Sequence, residues 1–143
     1  MRAPGASEVV VSGVAAGLAR RAVRTAVEHV LRGEHRRARI GVSFVGKAQM
    51  RRLNAEFLRH DYPTDVISFP LPQPDGTVAG DICICRYVAA RNARRHDAGV
   101  RAELLRLVVH GTLHVLGWDH PTGAARTRSP MWRRQEKYLS ELR

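Results

Sequence analysis

The stretch HGTLHVLGWDH, residues 110 to 120, constrains this chain more than any other part of it. His110 and His114 are four residues apart, so a helix sets their rings on one face about one turn apart. The residues that would supply that helix lie around them: Leu104, Leu105, Val108, Thr112, Val115 and Leu116 recur at helical spacing and predict a helix over Val100 to Leu116 with these side chains buried. Gly117 then allows a backbone conformation closed to most residues, and the turn through Trp118 and Asp119 returns His120 toward the other two histidines. Three neutral imidazoles with a fourth position open are the pattern of a catalytic zinc, whereas a structural zinc closes its shell with four ligands rich in thiolate. The sequence therefore predicts one zinc ion per chain on His110, His114 and His120.

The same histidine spacing holds the metal of zinc peptidases of the metzincin type, where the residue after the first histidine is a glutamate that activates water. Here that residue is Gly111. A peptidase needs the carboxylate to take a proton from water and pass it to a poor amine leaving group. Peptide hydrolysis drops in rank without it, while a metal site needs no dedicated base to generate a nucleophile near neutral pH, and an anionic substrate would be repelled by a carboxylate there. Two readings of Gly111 stand equal: close approach of an anionic substrate, or tight packing of the helix on a sheet that offsets the ~1 kcal/mol glycine costs inside a helix.

The formal net charge is +11, with 24 lysines and arginines of which only Lys47 and Lys137 are lysine. That balance points to a polyanionic partner such as nucleic acid or an acidic membrane surface. No run approaches the ~18 apolar residues of a membrane span, and the opening MRAPGASEVVV has no apolar leader, so a cytoplasmic protein is expected. Cys83 and Cys85 are one residue apart in a strand pattern, a poor disulfide geometry, and read as reduced thiols.

The 143 residues suit one domain over 1–143, with no linker or repeat to divide it. EVVVS at 8–12 reads as a strand, Val14 to Leu31 as a helix stopped by Gly33, ARIGVSFVG at 38–46 as a strand, and Lys47 to Phe57 as a helix with Met50, Leu53, Asn54 and Phe57 on one face. TDVISF and GDICIC read as strands joined into a hairpin over 65–85 by the turn chemistry of LPQPDGTVAG. An arginine-rich helix over 86–98, the histidine helix, a loop or mobile lid PTGAARTRSP and a last helix from Met131 to Leu142 complete the chain. The fold class is α+β, a mainly four-stranded mixed sheet packed with helices around a zincin-like metal helix.

His110, Gly111, His114, Gly117, Asp119 and His120 form the pattern H-G-x-x-H-x-x-G-x-D-H, which resembles the signature of the YbeY family of bacterial zinc-dependent endoribonucleases. LN at 53–54, TDVISF at 64–69, GDI at 80–82 and the closing helix after Met131 extend the resemblance over most of the chain. The resemblance implies cleavage of single-stranded RNA, ribosomal RNA maturation at the 3′ end of the small-subunit rRNA, and ribosome quality control. It also implies the small ribosomal subunit, with a ribosome-assembly GTPase, as partners; a monomer is favoured and no membrane is involved. Carried over residue by residue, it again makes His110, His114 and His120 the zinc ligands.

In many family members an arginine thought to be catalytic stands where this chain has Leu58, and the nearest arginine here is one position later, Arg59. Arg59 is the candidate for that role, with His60 or another arginine as alternatives and an exposed loop residue as the plain reading. Asp119 is the second catalytic candidate, either orienting an imidazole or moving a proton for the leaving oxygen. Asp81 either lines the cleft or closes a turn, and Trp118 and Trp132 either stack a base or pack in the core. Two other functions compete with a nuclease: an RNA-binding assembly factor whose zinc only holds its shape, and a zinc peptidase or amidohydrolase.

Overall fold

The structure, a computed structural model, describes residues 7–15 and 17–142. Residues 1–6, on which part of the expectation about the opening MRAPGASEVVV rests, and residues 16 and 143 lie outside the described residues. In chain order the elements are β1 (Glu8–Ser12), α1 (Arg20–Gly33), β2 (Ala38–Val45), α2 (Lys47–Leu58), β3 (Val66–Pro70), β4 (Val78–Cys85), α3 (Arg86–Arg95), α4 (Val100–Val115), a 3-10 segment (Gly123–Arg128) and α5 (Pro130–Glu141).

The sheet runs β1-β2-β4-β3, with β1, β2 and β4 parallel and β3 antiparallel to β4. This is the expected four-stranded mixed sheet, and β3 and β4 form the expected hairpin. Alternation decides its faces. Ile40, Val42 and Phe44 of β2 pair with Gly80, Ile82 and Ile84 of β4, and this apolar face is covered by Val23, Val27 and Leu31 of α1 and Leu104, Leu107 and Val108 of α4. The opposite face offers Val45, Ile67 and Cys85 to Met50 of α2 and Val88 of α3. Both cysteines are free, with Cys85 buried and Cys83 half-buried on that second face.

Helix α4 is buried around most of its circumference because the sheet, α1, α3 and α5 all pack on it. Leu107, Val109 and Leu113 are therefore buried as well as Leu104, Val108, Thr112 and Val115, while Leu105 and Leu116 are only half-buried. Two glycines set how closely it lies on the sheet. A Cβ at Gly80 would sit 2.6 Å from Val115 Cγ1, and one at Gly111 2.6 Å from Ile82 Cγ2 and 3.2 Å from Ser68 Oγ.

Helix α1 starts at Arg20, six residues later than its apolar spacing suggests. The connection before it is pinned differently: Ala15 bridges Leu18, both buried, and Gly17 has a left-handed φ of 94° that breaks a helix there. Val14, read as the first apolar position, is 69% exposed. β4 begins two residues early because Val78 and Ala79 continue the pairing with β2. Phe57 is exposed rather than buried beside Met50. The segment read as a loop before the last helix contains the 3-10 turn, and α5 starts on Pro130 with Ser129 Oγ accepting from the Trp132 amide.

Candidate metal centre

The end of α4 is built to stop at one place. Val115 is its last residue and Leu116 its cap, Gly117 takes a φ of 103°, the Gly117 amide donates to the His114 carbonyl at 3.0 Å and the Trp118 amide to the Leu113 carbonyl at 3.0 Å. This paired pattern satisfies carbonyls the helix would leave orphaned and reverses the chain. His120 comes back over the helix as a result, and His110, His114 and His120 each place one ring nitrogen within 4.8 Å of the others. Among the described residues this is the one group of histidine, cysteine and acidic side chains so placed.

Each imidazole is also oriented. Nδ1 of His110 lies 2.7 Å from Gln135 Oε1, Nδ1 of His114 2.9 Å from the Trp118 carbonyl, and Nδ1 of His120 2.9 Å from the Pro121 carbonyl. Carbonyl oxygens only accept, so each Nδ1 carries the proton and donates it, leaving the Nε2 lone pairs free. Burial pushes His110 down to about 4, and burial also lowers His114. Both rings are neutral at neutral pH, the form that binds a metal. The residues thus fit a divalent transition metal with nitrogen ligands, and neither cysteine belongs to the group.

Sequence reasoning missed the residues that hold these rings. Gln135 of α5 is 1% exposed among the apolar residues Met131, Tyr138 and Leu139, and that polar break in an otherwise apolar face was the available signal. Glu34, just past α1, accepts from Trp118 Nε1 at 2.7 Å and from the Tyr138 hydroxyl, and Arg134 Nε lies 3.4 Å from it. Trp118 is therefore anchored by its indole while its carbonyl holds His114, and the Arg134 guanidinium lies 4.9 Å over its ring.

The three histidines line an open cleft of about 520 Å3 together with Leu58, Asp65, Ser68 and Asp119. Asp119 is exposed, and its Oδ1 accepts from the His120 amide at 2.8 Å, which fixes the backbone of the third imidazole. Leu58 reaches the cleft. Arg59 follows it as the left-handed cap of α2, exposed, and neither it nor His60 is among the lining residues. Their loop is tied by the His60 amide donating to the Asn54 carbonyl at 3.2 Å, by Asn54 Nδ2 donating to the Tyr62 carbonyl at 2.7 Å and by the Arg51 guanidinium forking onto Asp61 at 2.9 and 3.1 Å. Asp81 lies away from the metal cleft, on the sheet face opposite α4 and across from Gly41. Gly111 is buried against Ile82 and Ser68, so packing of helix on sheet accounts for it, and the direction a side chain would take is already filled. No helix is long and apolar enough to cross a membrane among the described residues.

Comparison with known proteins follows the same residues. Residues 12–143 match the family model for Endoribonuclease YbeY. A protein of that name from Chlorobium luteolum is 42% identical over 118 residues, covering 82% of this chain and 84% of that protein. One from Thermotoga maritima is 34% identical over 116 residues, 81% of this chain and 75% of that protein. The solution structure of TM1509 from Thermotoga maritima superposes with a TM-score of 0.67 at 30% identity, covering 94% of this chain and 88% of that one.

Proposed function

The chain belongs to the YbeY endoribonuclease family, and we propose that it is a zinc-dependent endoribonuclease that cuts single-stranded RNA. Its place is the cytoplasm, in maturation of the small-subunit rRNA 3′ end and in ribosome quality control, with the small ribosomal subunit and a ribosome-assembly GTPase as partners. The observation that carries the reading is the convergence of three imidazoles, each with its Nδ1 directed at a carbonyl, at the wall of an open cleft. His110, His114 and His120 would hold one zinc ion per chain. When bound, the ion supplies Lewis acidity toward a phosphate oxygen and a nucleophile at neutral pH.

The chain's own groups do the rest. Gln135, the Trp118 carbonyl and the Pro121 carbonyl hold the imidazoles in the ligating tautomer. Asp119 fixes the His120 backbone and presents a carboxylate in the cleft that can take the proton of the attacking oxygen and pass it to the leaving oxygen. Arg59, beside the cleft residue Leu58, neutralises charge that develops on the phosphate. Among the described residues only Arg51, Arg106 and Arg134 form ion pairs with acids, so most of the arginine charge is free to attract an RNA backbone. A peptidase is disfavoured because nothing at Gly111 can act as the general base. A purely structural zinc is disfavoured because three ligands facing a cleft leave a position open.

The test separates binding from cleavage. His110→Ala is expected to abolish hydrolysis of a single-stranded RNA while binding persists and weakens steeply with salt. Wild-type cleavage rates in that variant would assign the activity to another site.

A further inference from the structure

A second cavity, of about 420 Å3, lies between α3, α4, the 3-10 segment and α5, and shares Asp65, Val66 and His110 with the metal cleft. We propose that this cavity is a nucleobase subsite, which seats the base of a nucleotide flanking the cleaved phosphate and prefers guanine. The proposal rests on the RNA-cleaving reading above for its choice of ligand and adds to it where the base goes.

Trp132 supplies an aromatic surface, with the Arg106 and Arg126 guanidinium groups 5.6 and 5.7 Å from its ring centre. Asn92, Glu103 and Gln135 add amide and carboxylate groups to the same cavity. A flat heteroaromatic ring with donors and acceptors side by side on one edge matches a wall of this kind, and bases of single-stranded RNA are free to enter such pockets.

Arg106 Nη1 is committed to Glu136 at 2.9 Å and Gln135 Oε1 to His110, but part of the wall's polar capacity is unspent. Arg126 forms no ion pair with an acid among the described residues. Glu103 is met by Arg106 only at 3.6 Å and by the Asn92 amide, and burial still pushes its carboxyl up from the ordinary value, so N–H donors from a ligand would relieve a partly desolvated acceptor. Asn92 reaches Asp65 Oδ2 only at 3.4 Å, and Gln135 Nε2 is buried without a partner. Guanine places an imino N–H and an amine beside a carbonyl, which suits a carboxylate beside a guanidinium. Uracil has one N–H between two carbonyls and would turn acceptors toward Glu103.

The test uses the zinc-loaded full chain and reads binding rather than turnover. Trp118 and Trp132 give two indole N–H signals in a proton–nitrogen correlation spectrum, assigned with Trp132→Phe. Titration with guanosine monophosphate should move the Trp132 signal, leave that of Trp118 nearly still, and saturate at least about fivefold more tightly than uridine monophosphate, the order expected for one hydrogen bond. Glu103→Gln should bring the two nucleotides to within about twofold of each other, with zinc content unchanged. Equal binding of the two nucleotides, or the same shift with inorganic phosphate alone, would overturn the subsite. RNA cleavage with no Trp132 shift would overturn the subsite and leave the nuclease reading standing. A selective Trp132 shift in a protein that cleaves no RNA would do the reverse.

Discussion

The two walls of the metal cleft are made differently. On one side, residues 110–120 are fixed by the glycine-capped end of α4, by a carbonyl on each imidazole and by the Glu34 anchor on Trp118. On the other, Leu58 and Asp65 bound a loop, residues 59–64, that leaves α2 through a left-handed Arg59 and is held by Asn54 and by an exposed Arg51–Asp61 pair, a type that contributes little, before the Cys85 amide fixes the Asp65 carbonyl at 2.8 Å. The ligand wall is preorganised before anything binds, whereas the substrate wall can adjust. A metal needs ligand atoms placed to tenths of an ångström, while an RNA chain needs charge within reach, so the unequal rigidity follows the chemistry each wall serves.

The largest effect is expected at Arg59. If the loose wall contributes a group to the transition state, Arg59→Ala should slow single-turnover cleavage by about 100-fold with zinc content unchanged. Arg52→Ala, an exposed arginine on α2, should barely matter. Arg51 is unsuitable as the control because its pair with Asp61 belongs to the same loop. Equal small losses in Arg59→Ala and Arg52→Ala would reduce that wall to bulk charge.

Gln135→Leu sharpens the other side. It removes the acceptor of the His110 Nδ1 proton and, with it, an amide nitrogen that has no partner. Zinc affinity in a chelator competition should fall about 10- to 100-fold, while the denaturation midpoint stays close to wild type. A lost midpoint with unchanged zinc affinity would make Gln135 a packing residue only.

The smallest effect is expected behind the ligands. Gly111→Ala places a methyl 2.6 Å from Ile82 Cγ2, and overpacking of about 1–3 kcal/mol is offset by about 1 kcal/mol of helix propensity. A modest loss in urea denaturation with zinc retained is expected. A gain in stability would mean that the glycine serves something other than close packing.

The ligand wall was legible because its rules are local. A four-residue spacing, a terminating glycine and a returning histidine all lie within eleven residues, and helical geometry converts them into a point. The strands were legible for the same reason, through alternation in ARIGVSFV and GDICIC. What escaped depends on parts distant in sequence. Gln135 reaches His110 across 25 residues and Glu34 reaches Trp118 across 84, so neither role is written near either partner. The early helix start at Val14 failed because the apolar spacing of Ala15 and Leu18 serves a bridged turn and not a helix. Gly111 was undecided between substrate and packing until the sheet supplied Ile82 and Ser68 as its neighbours.

These three imidazoles are proposed as both the metal site and the seat of RNA cleavage. Zinc content and cleavage of one single-stranded RNA, measured side by side in the wild type and in His114→Ala, test it most directly. The account predicts about one zinc per wild-type chain, with the metal and the cleavage lost together in the variant while its circular dichroism stays folded. Undiminished zinc in folded His114→Ala, or cleavage that survives the loss of zinc, would contradict it.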